Sequence, residues 1–397
     1  MTSYSAVIRL PGVGALLLAT TLARLAGRMF LVLLVLYALN RFGSPAIAGW
    51  AGFAALIPGM IASPIAGAAL DRLGAGRMIV LDLVASAVWL AVLAALDGLD
   101  AMTPPALVAL AAAYALTTPL SAAGIRSVLP RLVPAPARDT VNALDTTINA
   151  VTDTVGPVIA GPLLGFFGAP AAVGLTAALY LVAAAAALKV LHGDIPGGSR
   201  GGLFGQAWSG VRHVVRHPVL RGLALSYGMQ TVSWGMLIVI VPVMAARAVG
   251  AGAAADSLTG VLWAVAGLAG VAGALLAGRL GIMGREGAVI GIGGLVTAFA
   301  LFPVAANFGL AGLVAGMVLL NFAAGPVDVA VLTLRQRRTD PALLGRVMAV
   351  SISLNMCGLP LGSAIGGIAV SWSIEGALAG AAAASLVSAV LARKLLR

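Results

Sequence analysis

The sequence predicts an all-α integral membrane protein, with twelve transmembrane helices arranged as two six-helix pseudo-repeats. Three observations carry this. The 397-residue chain is 61% hydrophobic and 9% charged, where soluble domains carry about 25% charged residues, and its mean hydropathy is +1.06. Apolar runs long enough to cross a hydrocarbon core of about 30 Å recur from end to end. Landmarks also repeat at a nearly constant interval: Gly67 with Gly273, Pro136-Ala137 with Pro341-Ala342, and Pro157 with Pro360, at offsets of 206, 205 and 203 residues.

Taken in order, the predicted spans cover residues 13–38, 45–70, 78–96, 106–129, 140–168 and 170–191 in the first half. The second half holds 219–246, 257–282, 287–306, 310–334, 343–370 and 374–393. Backbone groups in lipid must be satisfied within the segment, which makes such runs helical. The absence of period-2 polarity argues against an outer-membrane barrel. Arg9 followed by Val13–Ala23 resembles a short signal peptide. Apolar sequence resumes at Met29–Leu39 after Arg24 and Arg28, so one long first helix is the reading adopted.

Cation placement sets the expected orientation. With the N-terminus in the cytoplasm, twenty of the 24 Lys and Arg residues fall on inside segments, Arg41 and Arg247 fall outside, and Arg24 and Arg28 lie within the first span. That asymmetry is the positive-inside pattern. It places both termini in the cytoplasm, and it explains the net charge of +11 as a topology and lipid-surface signal rather than a nucleic-acid patch.

Residues 192–218 divide the halves, so the domains are expected at 1–191 and 219–397. The divider opens with the glycine-rich stretch 192–202. It continues as a helix with Leu203, Phe204, Ala207, Trp208 and Val211 on one face and Arg212 and Arg216 on another. This is the pattern of an amphipathic helix lying at the membrane surface.

Between the second and third spans the chain reads Gly67-Ala-Ala-Leu-Asp71-Arg72-Leu-Gly74-Ala-Gly-Arg77. It must turn within a few residues there, which glycine permits. The stretch resembles the signature loop of the major facilitator superfamily of transporters: Gly, Asp-Arg four residues later, a spacer, Gly, then basic residues. Gly67, Asp71, Arg72 and Gly74 fit; Ala75 and Gly76 replace the usual basic pair, leaving Arg77. The fifth span carries Asp153-Thr-Val-Gly156-Pro157-Val-Ile-Ala160-Gly161-Pro-Leu-Leu-Gly165, similar to the antiporter motif of drug-exporting members. Ala160 replaces the first glycine of that motif's pair. A plain packing face of Gly156, Pro157, Gly161 and Gly165 is an equally weighted reading. Gly345-Arg346, entering the eleventh span, also resembles the exporter branch.

The resemblance implies the major facilitator fold and alternating access. It also implies secondary export of a lipophilic or amphiphilic, drug-like small molecule in exchange for protons. Import of a small solute by symport or facilitation is the alternative within transport, and a non-transporting receptor of the same fold is the alternative outside it. The expected conformational switch comprises Gly67, Asp71, Arg72, Gly74, Arg77 and Arg346, with Asp71 meeting the N-terminal end of the eleventh helix.

Intramembrane charge is costly and so points to function. Arg24, Arg28, Asp153 and Asp328 are the candidates for proton handling or ion pairing. Equal depth along the first and fifth spans suggests an Arg24–Asp153 pair. Asp328 reads equally as a proton carrier or as the partner of a nearby arginine. Asp82 and Asp145 lie nearer the cytoplasmic helix ends, where solvated or capping roles are expected. The spans expected by resemblance to line the cavity carry Tyr114, Thr117, Tyr227, Gln230, Trp234 and Asn321, a sparsely polar set suited to an apolar solute.

Other chemistries are excluded or disfavoured. The three histidines, His192, His213 and His217, all lie in the central loop, so no intramembrane metal site can be assembled from them. The single cysteine, Cys357, permits no intrachain disulfide. Gly291-Ile-Gly293-Gly294 falls within a span and is not a phosphate loop. The expected entity is therefore a non-enzymatic, cofactor-free monomer of the cell membrane. Its partners are a small-molecule substrate, protons and the lipid bilayer.

Overall fold

The computed structural model describes residues 4–129, 132–134, 137–189, 211–282, 284–305, 308–339 and 344–396. The glycine-rich linker and the first part of the predicted amphipathic helix lie outside the described residues; 211–216 are helical. The architecture is all-helical, as predicted. A short α1 (Tyr4–Ile8) precedes α2 (Val13–Phe42), α3 (Pro45–Ala54), α4 (Ile57–Leu73), α5 (Ala75–Gly98), α6 (Pro104–Val128) and α7 (Arg138–Leu188). Then follow α8 (Pro218–Val249), α9 (Ala253–Leu280), α10 (Glu286–Ala305), α11 (Gly309–Arg337), α12 (Leu344–Met356), α13 (Gly358–Trp372) and α14 (Ile374–Leu395).

Eleven continuous stretches among the described residues are long and apolar enough to cross a membrane. One of them is two crossings. Helix α7 runs for 51 residues, about 76 Å at 1.5 Å per residue, far beyond one bilayer. Gly168 breaks it with φ 78 and ψ 174, a conformation that glycine adopts without the usual side-chain clash. The break falls between the predicted fifth and sixth spans and restores the count of twelve.

Two predicted spans are interrupted, for one physical reason. Proline cannot donate to the carbonyl four residues back, and its ring crowds that carbonyl. The second span is broken so that α3 ends at Ala54, four residues before Pro58. The eleventh is broken so that α12 ends at Met356, four residues before Pro360.

By its internal contacts the chain forms two compact units, residues 1–34 with 54–203, and residues 35–53 with 204–397. In the first unit α5 packs on α6 and α7, and α4 packs on α6. In the second, α8 packs against α13 and α14, while α11 contacts α9 and α10. The core of the second unit gathers Met236, Leu237, Ile240, Leu301, Leu320 and Leu378, with Trp234 and Trp263 packed against it, their rings tilted by 35° with centroids 6.3 Å apart. Side-chain hydroxyls close some helix starts: Thr103 accepts from Ala106 N, and Ser373 from Gly376 N.

Candidate functional site: a charged cavity in the first unit

The charged residues of α2 and α7 meet inside the first unit. Arg24 Nη2 lies 2.9 Å from Asp145 Oδ1, and Arg24 Nη1 donates to the Asp145 backbone carbonyl at 2.8 Å. One turn further along, Arg28 Nε pairs with Asp153, whose second oxygen accepts from Asn149 Nδ2 at 3.2 Å. Equal depth had suggested Arg24–Asp153; instead Asp153 pairs one turn further along α2, and Arg24 pairs about two turns earlier on α7. Asp145 is correspondingly a half-buried ion-pair partner rather than a solvated helix-end residue.

Gly156 sets this register. A Cβ built there would collide with Arg28 Cβ and lie 3.3 Å from Arg28 C and Met29 N. The backbones of α2 and α7 approach at this point, as small residues allow in membranes. Within the first unit, then, this glycine of the antiporter-like stretch packs on the arginine-bearing helix. Pro157 follows it and deprives the Asp153 carbonyl of its helical donor. Gly161 is buried and Gly165 half-buried further along α7.

The two arginines and Asn149 border a cavity of about 280 Å³, whose lining also includes Phe30, Asp82 and Tyr114. Its floor is aromatic. Tyr114 and Tyr180 join hydroxyl to hydroxyl at 2.5 Å, and Phe30 packs on Tyr114 with ring centroids 4.1 Å apart. Gly27 leaves room for both hydroxyls, since a Cβ there would sit 3.3 Å from one and 3.4 Å from the other. Thr117 does not point its donor into open space; its hydroxyl donates to the Tyr114 carbonyl at 3.2 Å.

Asp82 departs most from expectation. It is 2% exposed on α5 and faces the cavity. Ser86 Oγ donates to it at 3.4 Å, and Thr117 and Ser121 are its other polar neighbours. It has no ion-pair partner among the described residues. Its distance from the helix end is about 10 Å along the axis, which suggested solvation, but α6 and α7 cover it. The Asp82–Ser86 spacing of one turn was the available sequence signal. Tyr180, mid-span in an otherwise apolar run, was another.

The second-half candidates do not join one cluster among the described residues. Tyr227 Oη donates to Asp328 Oδ1 at 2.5 Å, so the partner of Asp328 is a phenol rather than an arginine. Gln230 Nε2 donates to Thr297 Oγ1 at 3.2 Å. Asn321 spends its amide on the Met317 carbonyl of its own helix at 2.9 Å, and the partly buried Trp234 packs against the core. Arg335, expected at a cytoplasmic helix end, is 4% exposed; with the Asn355 amide oriented to suit, its carbonyl oxygen accepts from Arg335 Nη2 at 2.6 Å.

The signature loop forms a tight turn. Gly74 caps α4 and opens α5 with φ 92 and ψ 132, and its N–H donates to the Leu70 carbonyl at 3.1 Å. Gly67 is half-buried, while Arg72 and Arg77 are exposed. The side chains of Asp71 and Arg346 lie outside the described residues.

The apolar crossings among the described residues, with the arginines of two ion pairs lining a cavity, mark a multi-pass membrane protein. The chain belongs to the Major Facilitator Superfamily, whose family model matches residues 16–350. An MFS-type transporter of Sinorhizobium fredii, y4rN, is 46% identical over 390 residues, covering 98% of this chain and 96% of that protein. Among solved structures, the nucleoside transporter NupG aligns with a TM-score of 0.79 at 14% identity, covering 97% of this chain and 100% of that one. The POT family transporter PepTSo aligns with a TM-score of 0.74 at 12% identity, covering 98% of each chain. At such identities these structures establish the fold alone.

Proposed function

We propose that this transporter exports a lipophilic or amphiphilic small molecule by alternating access, in exchange for protons. The observation that carries the reading is Asp82: a buried carboxylate facing a cavity, with hydroxyls as its polar neighbours and no ion pair among the described residues. Burying an ionised carboxylate uncompensated costs several kcal/mol. A bound proton removes that cost, and exposure to water, which solvates the carboxylate, lets the proton leave, which makes Asp82 the proton-carrying group in this reading. The two arginine–carboxylate pairs alongside supply charges that can re-partner as Asp82 titrates.

The export direction and drug-like substrate rest on the exporter-type stretches at Gly156–Gly165 and Gly345-Arg346, and on the aromatic wall of Phe30 and Tyr114. Such an aromatic wall, facing the charged and polar groups of the same cavity, suits an amphiphile. The excess of inside arginines supports a cell-membrane protein with both termini cytoplasmic.

The test is dye transport in inverted vesicles, with and without an imposed pH gradient. A proton gradient is expected to drive uphill dye accumulation in the wild type. Asp82→Asn is expected to abolish the uphill component while preserving downhill exchange. Dye and protons moving in the same direction would replace the exporter reading with symport. Absence of any exchange by the folded wild type across a panel of dyes would refute drug export.

A further inference from the structure

A second concavity, of about 780 Å³, lies wholly within the second unit, on the side that the arginine count assigns to the cytoplasm. It is formed by the start of α10, the end of α11 and the end of α14. Two chemistries meet in it. At the membrane-surface end stand four arginines, Arg285, Arg337, Arg338 and Arg393, all exposed. Among the described residues one carboxylate faces them, Glu286, which Arg337 engages at 2.5 Å. The lining therefore carries a clear excess of positive charge. Deeper, the wall is apolar: Ile292, Leu295 and Val390, with Gly287 letting the Leu396 backbone pack against the start of α10.

The apolar wall does not stop at the end of the crevice. Ile292, Leu295, Phe299 and Phe302 share one face of α10 at spacings of three and four residues. They are 60%, 41%, 71% and 65% exposed. In a crossing helix such a stripe is what meets lipid. An occupant of the crevice thus has an anion-attracting surface at one end and a continuous hydrocarbon track at the other. A soluble phosphate compound would leave the apolar wall unused, and an uncharged lipid would leave the arginines unused.

We propose that this crevice binds one anionic phospholipid of the inner leaflet, independently of what the protein transports. The phosphate is held by Arg285 and Arg338, and an acyl chain lies along Ile292, Leu295 and Val390. Basic pockets between membrane helices on the cytoplasmic side are suited to this. The long arginine stems can cover apolar surface while the guanidinium groups stay at headgroup level.

The experiment is native mass spectrometry of the full chain in neutral detergent, titrated with phosphatidylglycerol, phosphatidylcholine or glycerol phosphate. One phosphatidylglycerol is expected to bind more tightly than phosphatidylcholine, and glycerol phosphate is expected not to displace it. The variant R285Q/R338Q should weaken that adduct by about fivefold per arginine, roughly twentyfold or more together. Ile292→Trp obstructs the acyl track from the lipid side while keeping every arginine, and should lose the same adduct even if the double variant fails to fold. Unchanged phosphatidylglycerol binding in either folded variant would overturn the proposal. Equal binding of phosphatidylcholine would also overturn it, as would displacement by glycerol phosphate, which would mark a free-phosphate site.

Discussion

Arg28 and Asp153 pair across α2 and α7 because a third residue, Gly156, presents no side chain at the point where the helices touch. Asp153 lies one turn before Gly156 on the same helix. The glycine brings α7 onto the backbone of Arg28 and Met29, and the carboxylate then falls within reach of the guanidinium. A stretch that reads as a motif is here a spacing device for a charge pair.

Gly156→Ala should therefore act on the pair as well as on packing. The added methyl meets Arg28 Cβ, which belongs to the opposing helix and cannot rotate away. Overpacking of this kind costs about 1–3 kcal/mol. The expected result is a lower melting temperature together with reduced transport by the folded fraction. Normal transport at wild-type stability would show that the approach at Gly156 does not matter.

The two ion pairs should differ in strength. Arg24 and Asp145 have side chains 16% and 19% exposed, whereas Arg28 and Asp153 are 45% and 43% exposed. Removing one partner of a buried pair costs about 3–5 kcal/mol, so Arg24→Leu should approach that range. Arg28→Leu should fall well below it, because a half-exposed pair is worth less. Double-mutant cycles scored on thermal stability measure the couplings directly. The cycle for Arg24 with Asp145 should give the largest value, and that for Arg24 with Asp153 the smallest. A dominant Arg24–Asp153 coupling would contradict the observed register.

How much of this was legible from the chain differs by level. Span number and type were readable, because lipid forces helices and apolar length counts them. Arg24 and Arg28 with Asp145 and Asp153 were visible as charges within apolar runs, yet their register was not. Depth along a helix fixes position only to within a turn, and the tie-breaker is the close approach at Gly156. Asp82 was misjudged for a related reason: distance from a helix end predicts solvation only when no neighbouring helix covers the site. The breaks before Pro58 and Pro360 follow from proline chemistry, but whether a proline bends a membrane helix or splits it depends on its neighbours.

The tyrosine pair offers a test of the cavity floor. Tyr114 and Tyr180 are 6% and 4% exposed and satisfy each other at 2.5 Å. Tyr180→Phe removes one hydroxyl and leaves the other buried without this partner, a loss of about 1–3 kcal/mol. Replacing both by Phe removes the donor and acceptor together and should cost less than the sum of the single changes. Thermal melting of the three variants in detergent decides this, and strictly additive losses would refute mutual satisfaction.

The last prediction concerns pH and lies outside the membrane. His217 stands at the N-cap of α8, where its Nδ1 accepts from Leu220 N at 3.4 Å. That role requires the neutral ring. Partial burial lowers the pKa of His217 below the ordinary 6.5, and His213 and Arg338 lower it further by like-charge repulsion. The folded state thus disfavours the protonated form. The cap's contribution is fully present above the unfolded pKa of about 6.5 and is lost as pH falls through the lower folded value. Hydrogen exchange at the Leu220 amide should accordingly quicken between neutral pH and about pH 5, after correction for intrinsic exchange. His217→Asn supplies a capping oxygen that does not titrate and should flatten that response while keeping the amide protected. His217→Ala should leave the amide poorly protected at every pH. If His217→Asn retains the wild-type pH response, the titrating group is some other residue and the cap assignment fails.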